Sequence, residues 1–165
     1  MTDLTLRDAT VDDAACICDI WNPIIRDTVI TFNPVERSPA EIASMIRDRQ
    51  GAGHAFMMAE LGGQVLGFAS YSQFRGGLGY ARCMEHTINL HDAARGKGAG
   101  RALLLALEDH ARSAGHHVMV GAVTASNVAS VAFHAALGYE TVGTMPQVGW
   151  KFGQFHDLVL MQKIL

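Results

Sequence analysis

The sequence contains few cysteines and no long apolar run, and these two absences exclude several classes of protein. Its 165 residues include three cysteines, Cys16, Cys18 and Cys83, whose spacing suggests no disulfide pairing. A small, odd number of thiols is typical of a reducing compartment, so we expect a cytoplasmic protein. No stretch approaches the roughly 18 consecutive apolar residues of a membrane span, so we expect no membrane partner. The opening residues lack a basic segment followed by an apolar one, so we expect no secretory signal.

The chain also lacks a strong excess of either charge and lacks metal-ligand spacing. It has 13 Lys and Arg against 16 Asp and Glu, a formal net charge of −3. General nucleic-acid binders are strongly positive, so we expect no nucleic-acid partner. Eight histidines are present, but no pair has His-x-x-x-His spacing on a predicted helix and no Cys/His group has zinc-ligand spacing. We therefore expect no metal. Length and a 49% hydrophobic content predict a single domain over residues 1–165.

Hydrophobic periodicity predicts secondary structure in the order β-α-α-β-β-β-α-β-α-β-β. The first helix contains Pro23, which we expect to kink or end it. The run Ser38-Pro39-Ala40-Glu41 is a strong start for the second helix. Residues 118–123 form a continuous apolar run typical of a buried strand, and residues 140–148 and 154–165 predict a closing strand pair. This order predicts an α/β or α+β fold with a mixed sheet of about six to seven strands flanked by four helices.

A basic, glycine-rich turn between a predicted strand and a predicted helix is the most informative stretch. Residues 87–91 predict the strand, residues 95–100 form the turn, and a helical apolar stripe follows from Arg101. Unpaired N–H groups and the positive end of the helix dipole would meet at the turn, which favours a phosphate or pyrophosphate. A P-loop is excluded because Lys97 precedes Gly98, and a dinucleotide fingerprint because Arg101 replaces its third glycine. The alternative is a tight joint with exposed cations.

The pattern that fits this turn is Arg95-x-x-Gly98-x-Gly100, which resembles the acetyl-CoA pyrophosphate loop of the GNAT superfamily of N-acetyltransferases. A second pattern resembles the strand-to-helix signature of the same superfamily: Asn127-x-x-Ser130-x-x-x-His134-x-x-x-Gly138-Tyr139. The predicted element order is also that of the GNAT fold, so the resemblance covers essentially the whole chain. It implies a mixed, mostly antiparallel sheet and acetyl-CoA as the co-substrate.

A narrower resemblance points to the subgroup that contains phosphinothricin N-acetyltransferase and methionine sulfone/methionine sulfoximine N-acetyltransferase. It rests on four short segments: Phe74-Arg75, Arg82-x-x-Glu85-His86-x-Ile88, Met145-Pro146-Gln147-Val148-Gly149 and Lys151-Phe152-Gly153. This resemblance implies that the α-amine of a small amino acid or toxic analogue attacks acetyl-CoA directly in a ternary complex. It also implies a homodimer.

Acetyl transfer to an amine requires a base, because an ammonium group has no lone pair with which to attack. A free α-amine has a pKa of about 7.7–8, so a modest base is sufficient. The resemblance gives this role to Glu85, whereas the alternative is an ordinary ion pair between Glu85 and a nearby arginine. Many GNAT enzymes have a helix tyrosine that protonates the leaving thiolate, and the matching residue here is His134. Two roles stay open for His134, a proton donor or a part of the cofactor-site wall.

The resemblance assigns acetyl-CoA to three parts of the chain. Main-chain groups of the strand would hold the pantetheine arm, and a backbone N–H near Ile88 would face the developing oxyanion. The turn would hold the pyrophosphate, and residues after the next strand would reach the arm from the other side. In chain order the set is Ile88, Asn89, Leu90, Arg95, Gly96, Lys97, Gly98, Ala99, Gly100, Arg101, Asn127 and Ser130.

A free amino-acid substrate carries an α-carboxylate, which suits the planar fork of arginine. Arg75 and Arg82 flank a glycine-containing loop just before Glu85, so we expect one or both to bind the carboxylate. The alternative is a solvated role at the strand ends. Gly76 and Gly77 would add backbone N–H donors.

The side chain of the substrate needs a pocket of its own. Phe32 and Trp150 are candidates for this pocket, with core or dimer packing as the alternative for both. We also assign His86 and Thr87 to the substrate site.

Two other functions remain open at the level of sequence. One is an acetyltransferase for another amine, such as an aminoglycoside, a polyamine or a protein N-terminus. A larger substrate would need an open acidic groove, and the paired arginines favour a small acid instead. The other is a noncatalytic acyl-CoA-binding sensor, against which the presence of Glu85 argues.

Overall fold

A seven-stranded sheet forms the centre of the protein in the computed structural model, which describes residues 3–165. Met1 and Thr2, which belong to the stretch behind the signal-peptide expectation, lie outside the described residues. The strands are β1 Leu4–Asp8, β2 Phe56–Leu61, β3 Gln64–Gln73, β4 Cys83–Leu90, β5 Val118–Thr124, β6 Glu140–Lys151 and β7 Gln154–Ile164. The helices are α1 Ala14–Asp27, α2 Pro39–Gly51, α3 Ala99–Ser113 and α4 Val128–Ala136. This order confirms the predicted one.

The strands lie in the order β1-β2-β3-β4-β5-β7-β6. Every neighbouring pair is antiparallel except β4 and β5, which run parallel. The mixed, mostly antiparallel sheet is therefore confirmed. Among residues 3–165, the structure contains no helix with the length and apolar character that a membrane crossing requires.

Each face of the sheet carries its own hydrophobic core. Met58 and Ala59 are neighbours on β2 but belong to different cores, because successive side chains of a strand point to opposite faces. The apolar stripe of α3, including Leu103 and Leu107, is fully buried on one face. The helices α1 and α2 cover the other face, where buried isoleucines pack against aromatic side chains of β2 and β3.

Pro23 does not end the first helix, which is one of the two outcomes expected of it, since α1 continues through Pro23 to Asp27. Proline removes one helical hydrogen bond and crowds the preceding turn. Beyond it, however, Ile25 is completely buried in the core under α1 and α2. Burial of this side chain favours the extra turn, and α1 therefore delivers its carboxyl end to the middle of the sheet.

The start of α2 follows the sequence prediction closely. The Glu41 N–H donates to Ser38 Oγ at 3.2 Å, and the Ser38 N–H donates to Glu41 Oε2 at 2.7 Å. Pro39 occupies the first helical position. This reciprocal cap satisfies N–H groups that a helix start leaves unpaired. Residues 28–38, which connect α1 to α2, are irregular.

The first strand of the closing pair is longer than predicted, whereas the second ends one residue earlier. The strand β6 extends to Lys151 rather than ending at residue 148, and the turn to β7 is made by Phe152 and Gly153. Both turn residues have positive φ, 53° and 71° respectively. Since β7 pairs with β5 on one side and β6 on the other, β6 becomes an edge strand of the sheet.

Candidate active site

The parallel strands β4 and β5 separate after three residue pairs. Residues 83–85 pair with residues 118–120, whereas β4 continues to Leu90 and pairs with β3 along its whole length. From residue 86 onward, the edge of β4 that faces β5 has no strand partner within the described chain. A wedge-shaped gap therefore opens beside β4.

The ladder between β3 and β4 determines which main-chain groups face this gap. The Phe74 N–H donates to the Cys83 carbonyl at 2.9 Å, and the His91 N–H donates to a β3 carbonyl at 2.8 Å. In an antiparallel ladder, alternate residues direct both N–H and C=O to the same neighbour. The odd-numbered residues of β4 therefore bond to β3. The N–H and C=O of Ile88 point into the gap, whereas Asn89 can reach it only through its side chain.

A cavity of about 280 Å³ occupies the gap. Nine residues predicted for the site line it: Phe32, Glu85, His86, Thr87, Ile88, Asn89, Asn127, Ser130 and His134. Seven lining residues were not predicted: Trp21, Ile30, Thr31, Ala122, Val123, Thr124 and Leu158. These seven are mostly apolar, so in the sequence they are indistinguishable from residues of the core.

Glu85 is half-buried in the cavity wall, on the sheet face that α1 and α2 cover. Burial raises the pKa of the Glu85 carboxyl, and the smaller, opposing effect comes from the guanidinium of Arg49 in α2. Burial in turn lowers the pKa of Arg49. A carboxylate with a raised pKa accepts a proton more readily than an exposed one does. No pattern in the sequence singles out Arg49, because its proximity to Glu85 is created by the packing of α2 on the sheet.

His134 forms a buried pair with His86 on the opposite side of β4. Its Nδ1 lies 2.7 Å from the Ser130 carbonyl oxygen, and its Nε2 lies 3.0 Å from the Nε2 of His86. A carbonyl oxygen can only accept, so the His134 Nδ1 carries the proton. In the neutral ring the His134 Nε2 is then the acceptor, and His86 donates to it. His134 therefore presents no proton to the cavity in this arrangement.

Gly121 of β5 makes room for this pair. A Cβ at this position would lie 3.0 Å from the His86 Nε2 and 3.1 Å from the His134 Cδ2. The two rings stack at a centroid distance of 5.0 Å and an interplanar angle of 8°. Tyr139 packs edge-on against both rings. Close packing of uncharged groups, and not an ion pair, thus holds the two histidines in place.

This enclosure predicts that acid destabilises the protein. Burial, and to a smaller extent His134, lowers the pKa of His86 to about 3, and burial also lowers the pKa of His134. Unfolded histidines bind protons near pH 6.5, so the unfolded state binds more protons than the folded state between pH 6.5 and 3. Stability is therefore complete above pH 6.5 and falls as the pH decreases. For His86 alone the loss between pH 6.5 and 5 is about 2 kcal/mol.

Urea unfolding at pH 7.5 and pH 5 measures this effect. The double variant His86→Phe/His134→Phe is the matched control, because it keeps two stacked rings but cannot bind protons. We expect its free energy of unfolding to depend less on pH than that of the wild type. Equal pH dependence in the two proteins would contradict the prediction.

The glycine-rich turn has the shape that an anion-binding loop requires. Gly96 and Gly98 have φ values of 72° and 74°, and no heavy atom beyond the adjoining residues lies within 4 Å of the position of a Cβ on either residue. Gly98 is the N-cap of α3, whose first N–H groups are not used inside the helix. Gly100 lets α3 approach β4, because a Cβ there would lie 3.0 Å from the Leu90 side chain. The open space and free donors fit a pyrophosphate.

Other predicted cofactor residues surround this turn or begin α4. Arg95, Lys97 and Arg101 are exposed cations, and Ala99 is buried in the first turn of α3. The Asn127 Oδ1 accepts the Ser130 N–H at 3.2 Å and caps α4. The amide NH₂ of Asn127 is thus the group that can reach a ligand in the cavity.

The predicted carboxylate-binding residues lie outside the cavity lining. Arg75, Gly76, Gly77 and Arg82 are exposed in the loop between β3 and β4. The guanidinium of Arg75 lies over the ring of Tyr80, 5.2 Å from its centroid. The loop adjoins the cavity in sequence, because Glu85 lies three residues after Arg82, but neither arginine belongs to the cavity lining.

Trp150 likewise lies outside the cavity lining. Its side chain is 58% exposed and packs against Phe155 at a centroid distance of 4.7 Å. Within residues 3–165, no group of three or more His, Cys, Asp or Glu side chains is arranged to hold a metal ion.

The chain is similar to known acetyltransferases in sequence and in structure. Residues 21–139 match the family described as Acetyltransferase (GNAT) family. The chain is 41% identical over 160 residues to the L-methionine sulfoximine/L-methionine sulfone acetyltransferase of Pseudomonas paraeruginosa, covering 96% of this chain and 92% of that protein. It is 32% identical over 162 residues to the phosphinothricin N-acetyltransferase of Alcaligenes faecalis, covering 98% and 82% of the two chains.

A solved structure extends the similarity to three dimensions. The phosphinothricin acetyltransferase of Sinorhizobium meliloti, in complex with acetyl-CoA, superposes with a TM-score of 0.93 at 35% identity. The match covers 100% of this chain and 89% of that one.

Proposed function

The chain belongs to the acetyltransferase (GNAT) family, and from this premise we propose that it transfers the acetyl group of acetyl-CoA to the α-amine of a small amino acid or analogue. The substrate class is that of methionine sulfone, methionine sulfoximine and phosphinothricin. One observation carries the proposal. Glu85, a half-buried carboxylate with a raised pKa, lines the same cavity as the unpaired edge of β4.

In this mechanism Glu85 takes a proton from the amine, directly or through one water. The acetyl-CoA, when bound, supplies an activated thioester carbonyl. The N–H of Ile88 points into the cavity and would stabilise negative charge on the carbonyl oxygen as the amine attacks. The remaining free groups on this edge of β4 would bind the pantetheine arm as an additional strand would. The ammonium must lose two protons in all: Glu85 takes one before attack, and the other is released after the C–N bond has formed and the C–S bond breaks, when it can neutralise the departing thiolate.

The turn at the start of α3 would hold the pyrophosphate. Gly96 and Gly98 leave space for the ligand, the N–H groups of Gly98 and of the first turn of α3 donate to it, and the exposed cations add positive charge. The amides of Asn127 and Asn89 and the hydroxyl of Ser130 would bind the arm between this loop and the site of transfer.

The hydrogen bonds of His134 favour a role in the cavity wall over a role as proton donor to the leaving thiolate. Its Nδ1 proton is committed to the Ser130 carbonyl, and its Nε2 accepts from His86. The leaving thiol has a pKa near 8.5, so its thiolate needs little help from an acid. His134 would thus close the cofactor side of the cavity.

The carboxylate of the substrate would bind to Arg75 and Arg82. We expect Arg75→Ala and Arg82→Ala each to raise the KM for the amino acid about tenfold or more, because a charge-assisted hydrogen bond is lost. The KM for acetyl-CoA should not change. Arg112→Ala is the matched control, since Arg112 is an exposed arginine paired with Asp109 on α3. If neither loop variant alters the KM for the amino acid, these arginines do not bind the carboxylate.

A thiol-release assay with acetyl-CoA tests the function. The panel contains methionine sulfone, methionine sulfoximine, phosphinothricin, the standard amino acids, an aminoglycoside and spermidine. Turnover confined to amino acids and their analogues is the expected result. Turnover only with the aminoglycoside or spermidine would replace the substrate class, and binding of acetyl-CoA without turnover would favour a sensor.

We also propose a homodimer in the cytoplasm. Large apolar side chains of β6 and β7 are exposed at this edge of the sheet, including Val148, Trp150 and Phe155. Such a patch favours association with another protein surface. All three cysteines are free, which fits a reducing compartment. Sedimentation equilibrium should give twice the chain mass, and Trp150→Glu should shift it toward the monomer.

A further inference from the structure

A buried lysine lies beneath the segment that ends α1. Lys151, the last residue of β6, is 3% exposed. Its Nζ donates to the main-chain carbonyls of Ile25, Thr28 and Thr31 at 2.5, 2.6 and 2.8 Å. An ammonium group has three donors, so these bonds satisfy all of them. The acceptors include carbonyls at the carboxyl end of α1, where the helix dipole favours a cation.

Additional contacts fix the same stretch, residues 28–32, which we call the 28–32 segment. The Thr124 Oγ1 of β5 donates to the Val29 carbonyl at 2.5 Å. The ring of Phe32 occupies the space above Gly149, where a Cβ would lie 2.4 Å from a ring carbon. The same ring stacks on His156 at a centroid distance of 5.7 Å. The 28–32 segment is irregular, so these contacts and the bonds from Lys151 determine its position.

The 28–32 segment forms one wall of the cavity. Ile30, Thr31 and Phe32 line it together with Trp21 of α1. This wall lies on the sheet face of Glu85, because α1 and α2 cover that face. An amine presented to Glu85 would therefore place its side chain near this wall.

We infer that Lys151 is a positioning residue that holds the wall of the acceptor site and thereby sets which amino-acid side chain is accepted. The inference rests on the proposed function, since it assigns to that same site a residue that controls substrate specificity. It concerns the acceptor only, because the groups assigned to acetyl-CoA belong to β4, the glycine-rich turn and α4.

The test replaces Lys151 by methionine, which keeps the apolar stem and removes the three donors. We expect the KM for the preferred amino acid to rise about tenfold, in line with the loss of hydrogen bonds from a charged group. The ratio of kcat/KM between preferred and poor amino acids should fall, and the KM for acetyl-CoA should change less than twofold. Lys151→Arg, which keeps charge and donors, should recover part of the selectivity.

Lys163→Met is the matched control. Lys163 is also partly buried and donates to Glu108 at 2.7 Å on the face that α3 covers. Its loss should lower thermal stability but leave the KM for the amino acid and the selectivity unchanged. The inference is overturned if Lys151→Met has the wild-type KM for the amino acid and the wild-type selectivity. It is also overturned if the two lysine variants change these two quantities equally.

Hydrogen–deuterium exchange separates failure of this inference from failure of the proposed function. In the absence of substrate, exchange of the peptide that covers the 28–32 segment should rise in Lys151→Met and not in Lys163→Met. This readout does not depend on which amine is acetylated. Unchanged exchange in Lys151→Met would overturn the positioning role even if the wild-type enzyme acetylates no amino acid.

Discussion

Replacing Glu85 by glutamine is expected to lower kcat by about 100- to 10,000-fold, the range that a general base contributes. Glutamine has the same size as glutamate but cannot take a proton from the amine. The binding of acetyl-CoA should be unchanged, because its proposed contacts are main-chain groups of β4, the glycine-rich turn and α4. Initial rates of thiol release and calorimetric titration with acetyl-CoA measure the two quantities separately.

The dependence of kcat/KM on pH is a more specific test of Glu85 as the base. Burial raises the pKa of the Glu85 carboxyl, so kcat/KM for the wild type should rise with pH along a limb that lies above the usual range of glutamate. The residual activity of Glu85→Gln should lack this limb. Glu140→Gln is the control, because Glu140 is an exposed glutamate at the start of β6. Turnover of Glu85→Gln within tenfold of the wild type would refute the assignment of the base.

Replacing Gly98 by alanine should weaken acetyl-CoA binding about tenfold. Gly98 has a φ of 74°, a conformation that costs an alanine about 1–2 kcal/mol. The free and the bound protein share this cost, so it lowers stability and not affinity. The loss of affinity, about 1.4 kcal/mol for a tenfold change, comes from the added methyl group, which would enter the open space that the pyrophosphate is proposed to fill. Titration calorimetry with acetyl-CoA or CoA measures the loss.

Gly115→Ala separates the loss of binding from the cost of strain. Gly115 follows α3 at its other end, has a φ of 85° and has no other atom within 4 Å of a Cβ position. The two variants should lose similar amounts of stability, but only Gly98→Ala should lose affinity. Equal affinities for acetyl-CoA in the two variants would show that the turn at Gly98 does not hold the ligand.

The sequence predicts well what depends on local periodicity and capping. The start of α2 at Ser38 and the cap of α4 at Asn127 are side-chain contacts within one turn of helix, and the first forms as predicted. The alternation of β4 places Glu85 and Thr87 on the face that α1 and α2 cover. The helix α1 continues past Pro23 because burial of Ile25, a tertiary effect, outweighs the local effect of the proline.

Contacts between distant elements could not be read from the sequence. Lys151 ends a strand of mostly exposed residues, and nothing in the sequence indicates that its ammonium group is buried beneath α1. His86 and His134 meet only because β4 and α4 pack together across Gly121. The gap beside β4 depends on where β4 and β5 stop pairing, and two apolar strands carry no signal for that point.

The most direct test of the central claim is a competition assay in one vessel. The enzyme receives acetyl-CoA and equal concentrations of methionine sulfone, the amine obtained by decarboxylating it, spermidine and an aminoglycoside. Mass spectrometry of the products measures the ratios of kcat/KM. Methionine sulfone acetylated on its α-amine should exceed every other product about tenfold or more. A preference for the decarboxylated amine, spermidine or the aminoglycoside would contradict an enzyme built to acetylate small amino acids.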